Sequence, residues 1–217
     1  PKGVQISHRA VINFLNSMRI EPGISSEDIL LAVTTLSFDI SVLEIFLPLV
    51  VGAKVEVARR EIASDGALLV DKLITSGATI MQATPATWRM MLEAGWEAVS
   101  NISVDQLDDG AQETYRDLTI LCGGEALPRA LANKLLQRAK TVWNMYGPTE
   151  TTIWSSVYKL NFDDDKPIIG KPIDNTSFFI FDENLNPVPP GQIGDLYIGG
   201  MGLSRGYLNK KALTNEK

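Results

Sequence analysis

The chain has 217 residues, of which 45% are hydrophobic and 21% are charged. This composition can form a hydrophobic core, which excludes disordered and collagen-like chains, and the length suits one large domain or two small ones. The formal net charge is −6 and the Lys and Arg residues do not cluster, so neither a nucleic-acid groove nor a basic membrane patch is expected. One cysteine, Cys122, and one histidine, His8, exclude an internal disulfide and a His/Cys zinc site.

No targeting or membrane-spanning segment is predicted. The apolar stretch 40–53 is shorter than the about 20 residues that a bilayer requires, and it contains Glu44 and Pro48. The first residues lack the charged and then apolar pattern of a signal peptide. Because the chain also begins without methionine, we expect a cytoplasmic protein of which this sequence is a piece.

Short apolar runs alternate with segments of helical periodicity, which predicts an α/β fold: a largely parallel sheet with flanking helices. Pro48 predicts a kink or an early end of its helix, and the acidic residues 97–117 predict a surface loop. In chain order, the predicted elements are a helix capped by Ser7 and ending near Met18, a strand 29–34, a helix 39–51, a strand 54–58, a helix 66–75, a strand 79–81, a helix 85–93, a strand 118–121, a helix 128–139 and a strand 141–143.

The sequence changes in character after residue 175. Predicted strands at 178–181 and 195–199 are joined by the Pro- and Gly-rich turn 187–191, which indicates antiparallel pairing. We therefore expect the α/β part at residues 1–175 and an antiparallel β segment of the same core at residues 176–217.

The most informative run is 144–152, Asn-Met-Tyr-Gly-Pro-Thr-Glu-Thr-Thr. It follows a predicted strand, and ligands bind at strand ends in open α/β sheets. Tyr146 offers an aromatic face, Thr149 a hydroxyl donor for phosphate, and Glu150 a hard oxygen for Mg²⁺. The alternative is an ordinary loop in which Thr149 or Thr151 caps a helix.

The pattern Asn-x-Tyr-Gly-Pro-Thr-Glu resembles the signature of the adenylate-forming superfamily, and more closely the amino-acid adenylation domains of nonribosomal peptide synthetases. Other segments agree with that family in order and spacing. They are Pro1-Lys2-Gly3, Phe38-Asp39-x-Ser41, Gly123-Gly124-Glu125-Ala126-Leu127, and Gly194-Asp195-Leu196-Tyr197-Ile198-Gly199-Gly200 with Arg205-Gly206-Tyr207-Leu208. The chain resembles the middle of the family's domain, as a central fragment of the large N-terminal subdomain. This fragment alone is therefore not expected to catalyse the family's reaction.

This resemblance implies ATP-dependent activation of an amino acid as its aminoacyl-AMP, with release of pyrophosphate. The product is then loaded onto the phosphopantetheine thiol of a carrier protein. The implied cofactors are ATP and Mg²⁺, with phosphopantetheine on a partner carrier domain. The implied partners are a small amino acid, a peptidyl carrier protein and neighbouring synthetase modules, with no nucleic acid or membrane.

The resemblance also implies roles for residues around the nucleotide. Thr149 and Glu150 are expected to act in catalysis, Thr149 at the α-phosphate and Glu150 as the ligand of Mg²⁺. The other expected nucleotide-binding residues are Gly124, Glu125 and Ala126 along the site, Asn144 at the adenine edge, Tyr146 stacked on the ring, and Lys2 at the β- and γ-phosphates.

The substrate pocket follows from the same resemblance, with Asp39 pairing with the α-ammonium group. Its expected lining is Asp39, Ile40, Leu43, Gln82, Leu121, Gly123, Met145, Ile153 and Trp154. Bulky residues in this set favour a small substrate, glycine first and alanine next, because overpacking typically costs about 1–3 kcal/mol. Gln82 either bonds a backbone carbonyl or supports the wall.

Two other functions remain open at this point. An acyl-CoA ligase would need no carboxylate for an α-amine, so Asp39 disfavours that reading. A non-catalytic nucleotide-binding module would retain the fold, although Thr149 and Glu150 are both present. His8 is interpreted as structural and Cys122 as a small buried hydrophobe.

Overall fold

A computed structural model describes residues 2–96 and 117–216, so the loop predicted at 97–117 lies almost entirely outside the described residues. The helices are α1 (His8–Met18), α2 (Ser41–Val51), α3 (Arg60–Ala63), α4 (Gly66–Thr75), α5 (Pro85–Glu93), α6 (Arg129–Leu136) and α7 (Lys211–Asn215), with a π turn at Arg19–Gly23 and a 3₁₀ turn at Thr149–Thr151. The strands are β1 (Ile29–Ala32), β2 (Lys54–Val57), β3 (Ile80–Ala83), β4 (Thr119–Gly123), β5 (Thr141–Tyr146), β6 (Ser156–Lys159), β7 (Lys171–Pro172), β8 (Thr176–Phe181) and β9 (Asp195–Gly200).

Side chains next to the helices fix where several of them begin. The Ser7 hydroxyl accepts a hydrogen bond from the Ala10 N–H, as predicted for the start of α1. Asp65 caps α4 in the same way, and Thr84 caps α5. Pro85 takes the first position of α5, where its missing N–H is harmless. These local signals explain why α4 and α5 have the predicted bounds.

The main sheet has seven strands in the order β2-β1-β3-β4-β5-β6-β7. Strands β1 to β5 are parallel, whereas β6 and β7 add antiparallel pairs at one edge. Strands β8 and β9 form a separate antiparallel pair. The predicted α/β class with a following antiparallel segment is therefore confirmed, while the division into residues 1–175 and 176–217 stays a prediction.

Alternate residues of the parallel strands point to opposite faces of the sheet. On one face, Met81 and Ile120 pack in a core with the buried sides of α4, α5 and α6. On the other face, Ile80 and Leu121 pack with α1 and α2. This two-sided burial accounts for the nearly continuous apolar runs of the strands. It also places α2 over the face that carries Gln82.

Several predicted bounds differ from the structure; for example, β1 ends at Ala32 rather than at residue 34, and α6 at Leu136 rather than at residue 139. Of the kink or early end predicted at Pro48, the early end is wrong, because α2 runs to Val51. Proline near the end of a helix removes a single backbone hydrogen bond, and burial of Leu43 and Leu47 holds the helix together. At the other end, α2 begins at Ser41 rather than Asp39, because both the amide and the hydroxyl of Ser41 donate to the Phe38 carbonyl.

The strand predicted at 141–143 is also longer than expected. It continues to Tyr146 because β6 pairs with it antiparallel, with Asn144 opposite Tyr158 and Tyr146 opposite Ser156. Asn144 and Tyr146 are therefore held on a strand, which fixes their side chains more firmly than a loop would.

Cys122 lies at 0% exposure on β4, which confirms its interpretation as a buried hydrophobe. Burial raises the pKa of its thiol, so the thiol stays protonated and unreactive. Within residues 2–96 and 117–216, no helix is long and apolar enough to cross a bilayer.

Candidate active site

The predicted site residues converge at the carboxyl edge of the parallel sheet. Strand β3 ends at Ala83, β4 at Gly123 and β5 at Tyr146, and Gly123 is opposite Met145 in the register. Chain segments that leave parallel strands at one edge meet there, which makes this edge the usual ligand site of an open α/β sheet.

A cleft of about 420 Å³ opens at this edge beside β4 and β5. Five of the predicted nucleotide-binding residues line it together: Gly124, Glu125, Ala126, Asn144 and Tyr146. Trp154, Pro167 and Ile169 also line it. The Asn144 Nδ2 donates to the Ile168 carbonyl at 2.8 Å, which fixes this amide at the cleft wall. The cleft thus offers an aromatic ring, an oriented amide and glycine backbone to a flat ligand.

Most of the predicted amino-acid pocket is buried next to that cleft. Leu43, Leu121, Met145, Ile153 and Trp154 belong to one core cluster, and Ile40 packs against it. Side chains in such a cluster are close-packed, so the wall that they form has a fixed shape.

Gly123 lies directly against the Trp154 indole and the Met145 backbone. A Cβ added at this glycine would lie 2.7 Å from the Trp154 Cη2 and 2.7 Å from the Met145 carbonyl oxygen. Real Cβ atoms do not approach other atoms so closely, so the indole edge occupies the space beside the Gly123 backbone.

Gln82 is the polar centre of this apolar face, with 1% of its surface exposed. Its Oε1 accepts a hydrogen bond from the Trp154 Nε1 at 2.8 Å. Its Nε2 donates to the Ile40 carbonyl at 3.1 Å and to the Glu44 Oε1 at 3.2 Å. The amide thus bonds a backbone carbonyl, which was one of the two alternatives from the sequence, whereas its support of a pocket wall stays a prediction.

Glu44 extends this network towards β1 and is completely buried. Its Oε2 accepts from the amides of Val33 and Thr34, each at 2.9 Å, and its Oε1 accepts from the Thr34 hydroxyl at 2.6 Å. Burial raises the pKa of the Glu44 carboxyl, and the hydrogen bonds from Thr34, Gln82 and Val33 oppose that rise.

The turn that carries Trp154 into the pocket has unusual backbone angles. Thr152 and Ile153, both β-branched, adopt φ values of 66° and 71°. Left-handed geometry is unfavourable for such residues, at a cost of about 1–3 kcal/mol each. The Thr152 hydroxyl donates to the Gly202 carbonyl at 2.7 Å, which helps to hold the turn. The turn keeps these angles because hydrogen bonds hold both Thr152 and the neighbouring Trp154 indole.

Thr149 and Glu150 lie just before that turn, in the 3₁₀ turn after β5. The Glu150 Oε1 accepts a hydrogen bond from the Tyr207 hydroxyl at 2.5 Å, and this carboxylate raises the pKa of that hydroxyl. The Lys2 Nζ lies 5.5 Å from the centre of the Tyr207 ring. The structure thus brings Lys2 and Glu150 to the same tyrosine.

The residues at this point also fit a magnesium ion in the manner that nucleotide enzymes use. Mg²⁺ is commonly held by one or two carboxylates together with substrate phosphates, rather than by a cage of protein ligands. Glu150 offers one carboxylate at this point, which fits that mode of binding.

Asp39 lies in the turn immediately before α2, half-buried and adjacent to Ile40. Helix α2 begins without a side-chain cap, so Asp39 does not cap it. Because Gln82 holds the Ile40 carbonyl, the position of Asp39 depends on the buried network.

Glu44 and Tyr207 are the site residues that sequence reasoning missed. Glu44 gave a signal, because its spacing from Leu43 and Leu47 places a carboxylate on the apolar face of α2. Tyr207 lies in the segment 205–208 that resembles the family, but no local pattern indicated its hydrogen bond to Glu150, which is 57 residues away.

Replacing Trp154 by phenylalanine tests the central hydrogen bond. Trp154→Phe leaves the buried Gln82 oxygen without its donor, so we expect a loss of about 1–3 kcal/mol in the free energy of unfolding. Trp88→Phe is the matched control, because Trp88 is equally buried and its indole nitrogen has no hydrogen-bond partner among the described residues. Urea unfolding measures both, and equal losses would contradict a structural role for the Gln82–Trp154 bond.

Comparison with known proteins identifies the family. Residues 1–208 match the AMP-binding enzyme family. The chain is 42% identical over 218 residues to a dimodular nonribosomal peptide synthase of Bacillus subtilis (strain 168), covering all of this chain and 8% of that protein. It is 39% identical over 217 residues to a PKS-NRPS hybrid synthetase of Aspergillus candidus, again covering 8% of the relative.

A solved structure gives the same result. The chain superimposes on a four-domain nonribosomal peptide synthetase bound to AMP and glycine with a TM-score of 0.86 and 45% identity, covering 99% of this chain and 15% of that one. The chain thus spans a small part of the proteins that it matches. It belongs to the AMP-binding enzyme family, in the branch formed by the adenylation domains of nonribosomal peptide synthetases.

Proposed function

We propose that this chain is the central part of an adenylation domain that activates glycine, and alanine less well, as the aminoacyl-AMP with release of pyrophosphate. The observation that carries the proposal is the Trp154 indole, which Gln82 holds against the Gly123 backbone in the pocket. The similarity to a synthetase bound to AMP and glycine supports both the chemistry and the substrate.

In this proposal the nucleotide occupies the cleft beside β4 and β5. Tyr146 stacks on the adenine ring, and Asn144, already oriented by its bond to the Ile168 carbonyl, contacts the adenine edge. Gly124, Glu125 and Ala126 form the opposite wall. At Gly124 the φ of 87° gives a backbone conformation that glycine adopts without strain, and this glycine leaves room for close approach of the nucleotide.

The phosphates extend towards the 3₁₀ turn. Thr149 donates to the α-phosphate and Glu150 holds Mg²⁺, which when bound neutralises negative charge on the phosphates. Tyr207 fixes the Glu150 carboxylate, and Lys2, next to that ring, contacts the β- and γ-phosphates. Attack of the amino-acid carboxylate on the α-phosphorus then expels pyrophosphate. The protein contributes positioning and electrostatic stabilisation, and it needs no nucleophile of its own.

The amino acid lies next to the nucleotide, with its carboxylate facing the α-phosphate and its α-carbon towards the residues buried beside Trp154. Asp39 pairs with its α-ammonium group through a charge-assisted hydrogen bond. Ile40, Leu43, Gln82, Leu121, Gly123, Met145, Ile153 and Trp154 surround the α-carbon. A substrate side chain larger than a methyl group would have to displace the indole, which is hydrogen-bonded as well as packed.

The wider role follows from the relatives, which are multimodular synthetases. We propose that the activated amino acid passes to the phosphopantetheine thiol of a peptidyl carrier protein. Neighbouring modules of a cytoplasmic synthetase would then extend it.

Amino-acid-dependent exchange of pyrophosphate into ATP tests this proposal in the intact synthetase. We expect exchange with glycine to exceed exchange with all other amino acids, alanine being next, because the pocket is filled by Trp154. Exchange with a bulky amino acid would contradict the substrate assignment. Activity only with a carboxylic acid that lacks an amine would indicate an acyl-CoA ligase, and nucleotide binding without exchange would indicate a non-catalytic module.

Asp39→Ala tests the contact with the α-amine. Loss of a charged hydrogen bond should lower kcat/KM for glycine by about tenfold or more, at about 1.4 kcal/mol for each factor of ten. The control is Asp71→Ala, which removes the same charge from the exposed surface of α4. If glycine exchange survives Asp39→Ala unchanged, the carboxylate does not bind the amine.

Trp154→Ser tests the size of the pocket. Removing the indole creates space beside Gly123, so alanine and larger amino acids should gain activity relative to glycine. Exchange assays over the full set of amino acids measure the change. Unchanged selectivity would show that Trp154 does not line the pocket.

A further inference from the structure

One loop approaches the proposed substrate, and buried side chains hold both of its ends. The loop comprises residues 33–40, between β1 and α2, and it includes Asp39. At its start, the amides of Val33 and Thr34 donate to Glu44. At its end, the Ile40 carbonyl accepts from Gln82. Between these points the loop is exposed, with 62% of Phe38 accessible to solvent.

Glu44 and Gln82 are themselves joined, so the two anchors act as a unit. The Glu44 Oε1 accepts from the Gln82 Nε2 at 3.2 Å. The same Gln82 side chain accepts from the Trp154 indole. A single network therefore runs from the start of the loop through Glu44 and Gln82 to Trp154.

The chemistry of position 44 is specific to a carboxylate. Glu44 accepts from four donors: the Val33 amide, the Thr34 amide, the Thr34 hydroxyl and the Gln82 Nε2. A carboxylate has acceptor sites for all four. An amide at this position would place its own N–H groups against some of these donors, so glutamine cannot replace Glu44 without breaking the network.

The orientation of Gln82 depends on this arrangement. The Trp154 indole nitrogen only donates, so it requires the Gln82 oxygen. The Gln82 nitrogen must then face acceptors, which are the Ile40 carbonyl and the Glu44 carboxylate. Without the acceptor at Glu44, the Gln82 nitrogen would lose one of its two hydrogen bonds. The amide could then rotate, and its oxygen would no longer be held towards the Trp154 indole.

We propose that Glu44 is a positioning residue of the substrate pocket, which fixes the Asp39 loop and, through Gln82, the Trp154 wall. This inference rests on the proposed function, because it assigns Asp39 and Trp154 to substrate. Glu44 does not touch the substrate itself. It sets the distance between the group that binds the α-amine and the wall that limits the side chain.

A purely stabilising role would not require this residue. A buried carboxylate carries a desolvation cost that well-packed hydrophobic residues of similar size avoid. Leu43 and Leu47, on the same face of α2, show that the site accommodates leucine-sized side chains nearby. The presence of a carboxylate at position 44 is therefore explained by the four hydrogen-bond donors that it holds in place.

Glu44→Gln in the intact synthetase tests the proposal by pyrophosphate exchange. We expect the preference for glycine over alanine in kcat/KM to fall by about tenfold, within the range by which enzymes discriminate one methylene group. The KM for glycine should rise more than the KM for ATP, because Trp154 is the one residue of this network that also lines the nucleotide cleft.

The matched control is Leu69→Ala, on α4 at the opposite face of the sheet. It destabilises the core by creating a cavity, but it leaves the network intact. We expect Leu69→Ala to lower the thermal unfolding midpoint without changing the glycine-to-alanine ratio. If Glu44→Gln likewise lowers stability and leaves the ratio unchanged, Glu44 is merely structural and the proposal is overturned.

A double variant identifies the route of the effect. In a Trp154→Phe background the Gln82 oxygen has no indole donor, so adding Glu44→Gln should change the glycine-to-alanine ratio little further. Full additivity of the two effects on that ratio would overturn the route through Gln82.

If Glu44→Gln does not fold, Thr34→Val provides a second test of the role of Glu44. This variant removes one donor from the Glu44 Oε1, the oxygen that Gln82 shares, and a smaller loss of selectivity is expected. An unchanged ratio in Thr34→Val would then count against the proposal. Failure of the wild-type synthetase to exchange with any amino acid would overturn the proposed function itself, which separates the two failures.

Discussion

One buried amide, the side chain of Gln82, joins the parts of the chain that form the proposed substrate pocket. It contacts the end of the Asp39 loop at Ile40, the helix α2 at Glu44 and the strained turn at Trp154. A polar group in an apolar core is costly unless each of its atoms finds a partner. The surrounding segments are therefore held in the one arrangement that satisfies this amide.

The chemistry of the site follows from where the parallel strands end. β4 and β5 deliver glycine backbone, an amide and an aromatic ring to one cleft, and the turn after β5 delivers Thr149 and Glu150. Tyr207, from the segment after β9, donates a hydrogen bond to Glu150 and so holds its carboxylate in place. Such an arrangement suits a reaction that depends on positioning and charge rather than on a nucleophilic side chain.

Much of the fold was predictable because its signals are local. Caps and helical periodicity fixed α4 and α5, and apolar runs indicated the parallel strands. Predictions went wrong where distant contacts decide. Helix α2 passes Pro48 because its face is buried, and β5 extends because β6 pairs with it. Short strands such as β6 and β7 form through pairing with a neighbouring strand, so the sequence shows no alternation of apolar and polar residues that would predict them.

The sequence by itself determined the family and the α/β class, because these depend on motifs and on local patterns. The residues that it assigns to nucleotide and substrate stay predictions. Only the tertiary structure decided that Gln82 bonds Trp154, 72 residues away, and that Glu44 bonds Gln82, 38 residues away. Those pairings depend on the register of parallel strands and on the packing of α2 across the sheet. Such hydrogen bonds have no signature in neighbouring residues, because their partners come together only when the sheet is complete.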